Sequence, residues 1–194
     1  MGIQFMSKIV SIDNKRVGPT EPTYIVAEIG INHNGDTELA KSLFRAAAHA
    51  GCDAVKLQKR TIDLVYTKEE LAIPRSSPFG TSNGDLKRGL ELSVEAWESL
   101  HAYAKTLGLT LFGSCWDMKS VDDLGDINIP AYKIPSALLD NKDLLRKVRS
   151  KGRPVIISTG MSDKKEIDTA ISVLGIQDLI VLYCTKRGVL SNCA

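Results

Sequence analysis

Six short runs of mostly β-branched and aliphatic residues, at 24–27, 54–57, 109–112, 131–134, 154–157 and 179–183, constrain this chain more than any other feature. Between them lie segments of helical length and spacing. Residues 37–50 place Leu39, Leu43, Ala46, Ala47 and Ala50 on one face and stop at Gly51. Residues 94–107 stop at Gly108, and shorter helical stretches follow at 120–124, 144–148 and 164–174. Strands separated by helix-sized connections cannot pair as hairpins; they pair in parallel through right-handed crossovers. The choice is therefore an α/β fold of one of two kinds: a doubly wound open sheet, or an incomplete (β/α)8 barrel of the TIM type with about six βα units.

Two features favour the barrel. Polar residues recur at the C-terminal ends of the strands: Glu28, Lys56 with Gln58, Ser114, Lys133 with Ser136, and Ser158 with Thr159. Barrel enzymes build their sites on that rim from several strands, whereas an open sheet concentrates its site at one switch point. No G-x-G-x-x-G follows the first run. A complete barrel takes about 250 residues, so a chain of 194 is roughly two βα units short.

A composition of 43% apolar and 25% charged residues fits one folded, water-soluble domain spanning 1–194. Basic and acidic side chains number 25 and 23, with no long run of either sign, so neither nucleic acid nor a membrane surface is expected as a partner. No signal-like N-terminus and no apolar stretch of spanning length are present, and a cytoplasmic location is the default expectation. Cys52, Cys115, Cys184 and Cys193 contain no C-x-x-C pair and read as reduced structural thiols. The Ser-, Thr-, Pro-, Gly- and Asn-rich stretch 61–89 interrupts the rhythm after the second strand, as a lid or substrate loop or as plain disorder.

Lys56 and Gln58 are two apart on one strand and share a face, the interior one in a small barrel. A buried lysine needs a compensating anion. Lys133, two strands on, repeats the situation, and together the two lysines suit a small molecule carrying phosphate and carboxylate groups. The plainer reading pairs each lysine with a carboxylate such as Glu28. Ser158-Thr159-Gly160 offers hydroxyls and turn N–H groups to a phosphate, or simply ends a strand. Asn32-His33-Asn34-Gly35 is a turn carrying the one histidine near this rim, since His49 and His101 fall on helices. No set of histidines and carboxylates has metal-ligand spacing.

Four motifs resemble, in order and spacing, those of the N-acetylneuraminate synthase family: Ala27-Glu28-Ile29-Gly30-Ile31-Asn32-His33-Asn34-Gly35, Asp53-Ala54-Val55-Lys56-Leu57-Gln58, Pro130-Ala131-Tyr132-Lys133-Ile134-Pro135-Ser136, and Pro154-Val155-Ile156-Ile157-Ser158-Thr159-Gly160-Met161. The resemblance covers about residues 24–185. It implies condensation of phosphoenolpyruvate with an open-chain N-acylated hexosamine aldehyde such as N-acetylmannosamine, giving a nine-carbon 2-keto acid and phosphate. Sialic, legionaminic and pseudaminic acid synthases and a spore-coat polysaccharide branch share that pattern. By the same resemblance Lys56, Ser114, Lys133, Ser136 and Ser158 hold phosphoenolpyruvate, while Glu28 and Gln58 face the reacting carbons and the sugar. Glu28, Lys56, Gln58 and Lys133 are then the catalytic set.

The resemblance also implies features without a counterpart in this chain. The family's divalent metal, manganese or magnesium, is held by two histidines from later strands, so this chain is expected not to bind it. The last two barrel strands and a C-terminal antifreeze-like domain, which in the family's homodimers reaches a partner's site, are absent as well. After Cys184-Thr185 the family's Tyr-Pro motif does not appear, and residues 186–194 diverge. The expectation is a truncated or frameshifted synthase barrel that keeps the phosphoenolpyruvate half. The competing expectations are a non-catalytic fragment and a related 2-keto-3-deoxy sugar acid synthase.

Overall fold

The computed structural model describes residues 9–184. Strands β1 (Val10–Ile12) and β2 (Lys15–Val17) form an antiparallel hairpin. Then come β3 (Val26–Gly30), α1 (Thr37–His49) and β4 (Ala54–Lys59). The segment after β4 contains α2 (Ile62–Val65), α3 (Lys68–Ala72), a second hairpin of β5 (Pro74–Ser77) and β6 (Gly80–Ser82), and α4 (Asn83–Gly89). The alternation then resumes with α5 (Val94–Thr106), β7 (Thr110–Cys115), α6 (Met118–Asp126), β8 (Tyr132–Ile134), α7 (Lys142–Ser150), β9 (Val155–Ser158), α8 (Lys164–Leu174) and β10 (Leu179–Leu182). The helix ends carry the expected chemistry. Asp36 accepts from the Glu38 and Leu39 N–H groups at the start of α1, and Gly51 and Gly108 take the left-handed conformation after α1 and α5 (φ 78° and 69°).

Topology decides between the two architectures. The six parallel strands lie in the order β3-β4-β7-β8-β9-β10, which is also their order along the chain. Such a sheet never reverses its winding, so it has no switch point and is not doubly wound. It is an arc of a (β/α)8 barrel, with one apolar layer on each side. Outside, Leu57, Leu111, Ile134 and Ile157 pack against the helices through Phe44, Trp97, Leu124 and Leu145. Each such fully buried side chain contributes about 1.5–3 kcal/mol of transfer free energy. Inside, Ala54, Phe112, Ala131 and Ile156 meet Val10 and Ile12 of the β1–β2 hairpin.

That hairpin closes the N-terminal end of the barrel arc and is absent from the sequence reading. Its strands have three residues each, too few to show periodicity. Lys15 anchors it through an ion pair to Asp53 at 2.7 Å, and the Asp53 carboxylate also accepts from the Ile25 N–H. The disorder reading of 61–89 is likewise corrected, because this stretch is folded. Thr67 with Glu70 and Ser82 with Asp85 form reciprocal capping boxes, which stabilise helices too short to announce themselves. Both ends of the insertion are clamped to the barrel. Lys59 Nζ donates to the Leu92 carbonyl at 3.0 Å, and the Thr61 N–H and hydroxyl donate to Asp117.

Candidate active site

Alternation along the parallel strands sends Glu28, Lys56, Gln58, Ser114, Lys133 and Ser158 to the inner face, at the C-terminal end of the arc. Ladder register sets their spacing: Glu28 pairs with Lys56, Gln58 with Ser114, and Ser114 with Lys133. Below them the cavity is apolar, floored by Ile12, Phe112, Ile156 and Ile180, and its volume is about 260 Å³ with Glu28, Lys56 and Lys133 in its wall. A larger groove of about 650 Å³ lies between α7 and α8, away from the strand ends, where the Lys164–Asp168 pair is open to solvent.

The two lysines are both buried, at 7% and 8% exposure, but their charges are handled differently. Lys56 Nζ lies 2.8 Å from Glu28 Oε1 and donates to Ser114 Oγ at 2.6 Å. The pairing with Glu28 is therefore realised for Lys56, although the Glu28 side chain is 63% exposed and water screens the attraction. Among the described residues no carboxylate lies at ion-pairing distance from Lys133; its hydrogen bond goes to the Ile134 carbonyl at 2.9 Å. Burial first, and the neighbouring Lys56 charge second, push its pKa down to about 8. A cation held in this way favours an incoming anion.

Hydroxyls lie on the turns that follow β8 and β9. Ser158, nearly buried, accepts a hydrogen bond from Cys184 Sγ at 3.4 Å. Ser136 opens the single 3-10 turn Ser136–Leu138 after β8. A methyl group on Gly160 would lie 3.5 Å from both Ser136 Oγ and Cys184 Cβ, which brings the 158–160 turn, Ser136 and Cys184 into one neighbourhood. The rim thus holds two groups, Glu28–Lys56–Ser114 and Ser136–Ser158–Cys184, with Lys133 on the strand between Ser114 and Ser158. Gln58, half-buried, sits on the same rung as Ser114 and Lys133.

Two rim contacts escaped the sequence reading. Cys184, which reads as a structural thiol by its spacing and, by the family resemblance, as the start of a motif that supplies substrate ligands, touches Ser158, and no spacing signals that contact. Arg60 is buried against Glu91, with Nε and Nη2 both 2.6 Å from Oε1, and also donates to the Tyr66 hydroxyl. Thirty-one positions separate Arg60 from Glu91, so no local pattern announces the pair.

His33 is 1% exposed, and its Nδ1 accepts the Gly35 N–H. Burial lowers its pKa to about 4, so its imidazole is neutral near pH 7. His49 ends α1 and His101 is buried on α5. Among the described residues no three His, Cys, Asp or Glu side chains converge, so these residues do not fit the manganese or magnesium that the family resemblance implies. Thr185, Cys193 and the 186–194 tail lie outside the described residues. No helix among the described residues is long and apolar enough to cross a membrane.

Residues 43–187 match the profile of the NeuB family. The chain is 40% identical over 178 residues to the uncharacterized protein MJ1065 of Methanocaldococcus jannaschii, covering 90% of this chain and 50% of that one. It is 37% identical over 177 residues to the N-acetylneuraminate-9-phosphate synthase of Mus musculus, covering 88% and 48%. Among solved structures, the N-acetylneuraminic acid (sialic acid) synthetase of Leptospira borgpetersenii, crystallised with citrate, superposes with a TM-score of 0.81 at 24% identity, covering 93% of this chain and 60% of that one. The chain spans about half the length of the curated relatives it matches.

Proposed function

The chain belongs to the NeuB family, and from that premise we propose that it carries the phosphoenolpyruvate-binding half of a synthase that joins phosphoenolpyruvate to an N-acylated hexosamine aldehyde. The observation that carries this reading is Lys133, a buried cation that among the described residues has no carboxylate at ion-pairing distance, on the strand beside the one that carries Ser158. Lys133 with Ser136 and Ser158 takes one anionic group of phosphoenolpyruvate. Lys56 with Ser114 takes the other. Two fixed anchors orient the enol ether, so that C3 presents to the aldehyde carbon of the sugar.

As the C3–C1 bond forms, the aldehyde oxygen takes a proton and positive charge develops at C2. Glu28, held by Lys56 yet open to water, is the proton-exchanging group at that point, and Gln58 hydrogen-bonds the sugar from the same rung. Water adds at C2, and the C2–O bond to phosphate breaks as the keto group forms. The fixed donors favour the departing phosphate without reorganisation.

A second reading has its own support. Among the described residues β3 and β10 have no partner on their outer edges, and both contribute side chains to the cavity wall. On that reading the chain binds the anion and turns nothing over. Both are tested by titrating the protein with phosphoenolpyruvate and then assaying inorganic phosphate release with N-acetylmannosamine and a divalent cation. Sugar-dependent release supports the synthase reading. Saturable binding without release supports the second, and the absence of binding refutes both.

A further inference from the structure

Two serine hydroxyls of the rim already accept a hydrogen bond from a neighbour, whereas the Thr159 hydroxyl donates to the Leu182 carbonyl. Ser114 Oγ receives Lys56 Nζ at 2.6 Å, and Ser158 Oγ receives Cys184 Sγ at 3.4 Å. A serine hydroxyl has one hydrogen and two lone pairs. Once a lone pair is occupied by a donor behind it, the hydroxyl's own hydrogen is released to point forward. On the β4–β7 side a lysine performs this task, and on the β9–β10 side a thiol stands in the corresponding place. A methyl group built at Gly160 would lie 3.5 Å from the Cys184 Cβ, so the bare Gly160 turn runs beside that residue.

We propose that Cys184 is a positioning residue of the anion cradle: its thiol donates to Ser158 Oγ and thereby turns the Ser158 O–H toward a phosphate group held by Lys133. This rests on the phosphoenolpyruvate reading of the same rim and adds a residue to it. Cys184 touches Ser158, not the anion. Its effect is that of one weak hydrogen bond relayed through a hydroxyl.

The test measures inorganic phosphate binding by calorimetry to the full chain, to Cys184→Ala and to Cys184→Ser. Loss of the donor in Cys184→Ala weakens binding about 3- to 10-fold, the range of one net hydrogen bond. Cys184→Ser, which keeps a donor, recovers most of that loss, whereas a purely space-filling role would leave both variants equally affected. A second measurement needs no variant. Carbamidomethylation of Cys184 by iodoacetamide, followed by peptide mass spectrometry, slows at least 3-fold when phosphate saturates the site, and the fully buried Cys115 serves as the internal control.

Wild-type binding of phosphate with equal affinity in Cys184→Ala overturns the Cys184 role and leaves the phosphoenolpyruvate reading standing. Cys184→Ser binding no better than Cys184→Ala also overturns it, as does unprotected Cys184 in a phosphate-saturated protein. A wild-type chain with no phosphate affinity overturns both.

Discussion

Replacing Lys133 by methionine is expected to make the free protein more stable while abolishing anion binding. The gap between about 8 and the ordinary 10.5 measures how much the folded environment disfavours the ammonium. Converted to free energy, that gap is roughly 3 kcal/mol. The sign follows from proton counting. Between pH 8 and 10.5 the unfolded chain binds more protons at this site than the folded one, so stability rises with pH through that window. Below pH 8 the full penalty is present. Lys133→Met removes the charge, keeps the length of the side chain and gives up one hydrogen bond to the Ile134 carbonyl. The net expectation near pH 7 is a gain of about 1–3 kcal/mol. Urea unfolding of both proteins at pH 7 and pH 9.5 measures it. The raised pKa values of the half-buried Tyr24 and the buried Tyr132 affect both proteins alike, so the difference between them isolates Lys133. The advantage of the variant should shrink at pH 9.5. A variant less stable than wild type at pH 7, or a difference that does not change with pH, refutes the reasoning.

An anion on Lys133 restores its proton, so phosphate binding at pH 8 should take up about half a proton. Calorimetry in two buffers of different ionisation enthalpy reads this, and no uptake counts against Lys133 as the ligand. His33, whose folded pKa of about 4 lies below its unfolded value, contributes stability that is present above pH 6.5 and lost as pH falls toward 4. The loss is at most roughly 3 kcal/mol and is absent in a His33→Asn variant compared by urea midpoints at pH 7 and pH 4.5. Glu91→Ala leaves the buried Arg60 guanidinium without its carboxylate and should cost about 3–5 kcal/mol, with the first new protease cut falling within 62–89. Glu91→Gln should cost less, and equal losses would argue against the ion pair.

The helical and strand alternation was readable because each unit is long enough for its period to repeat. α1 and α5 were placed within a residue by their apolar faces and by the glycines that end them. The first strand was placed early, at 24–27 rather than Val26–Gly30, because Tyr24 and Ile25 look like strand residues but precede the ladder. α6 and α7 are each longer than their apolar cores, since polar caps such as Asp117 and Asn141 extend them. The β1–β2 hairpin and the pieces of 62–89 depend on contacts across the chain and on side-chain caps, which leave no period. Of the residues singled out from the sequence, Gln58, Ser114, Lys133 and Ser158 lie in the last two positions of their strands, Glu28 and Lys56 lie further back, and Ser136 opens the turn after β8. What the sequence could not convey is the asymmetry between the lysines. Both occupy inner positions, and only the folded distances show that Glu28 reaches Lys56 and that, among the described residues, no carboxylate reaches Lys133.

That asymmetry also bears on what an open barrel arc can do. The groups assigned to the anion come from β4, β7, β8, β9 and the turn after β8, all of them neighbours in one hydrogen-bonded ladder. Their spacing is fixed by register, which the outer edges of β3 and β10 do not disturb. Chemistry on a sugar aldehyde asks for more, because the aldehyde carbon must be held against C3 before one water reaches C2, and Glu28 has most of its side chain in solvent. Anion binding and turnover are therefore separable properties of this fold, and only the first is set by the continuous ladder from β4 to β9.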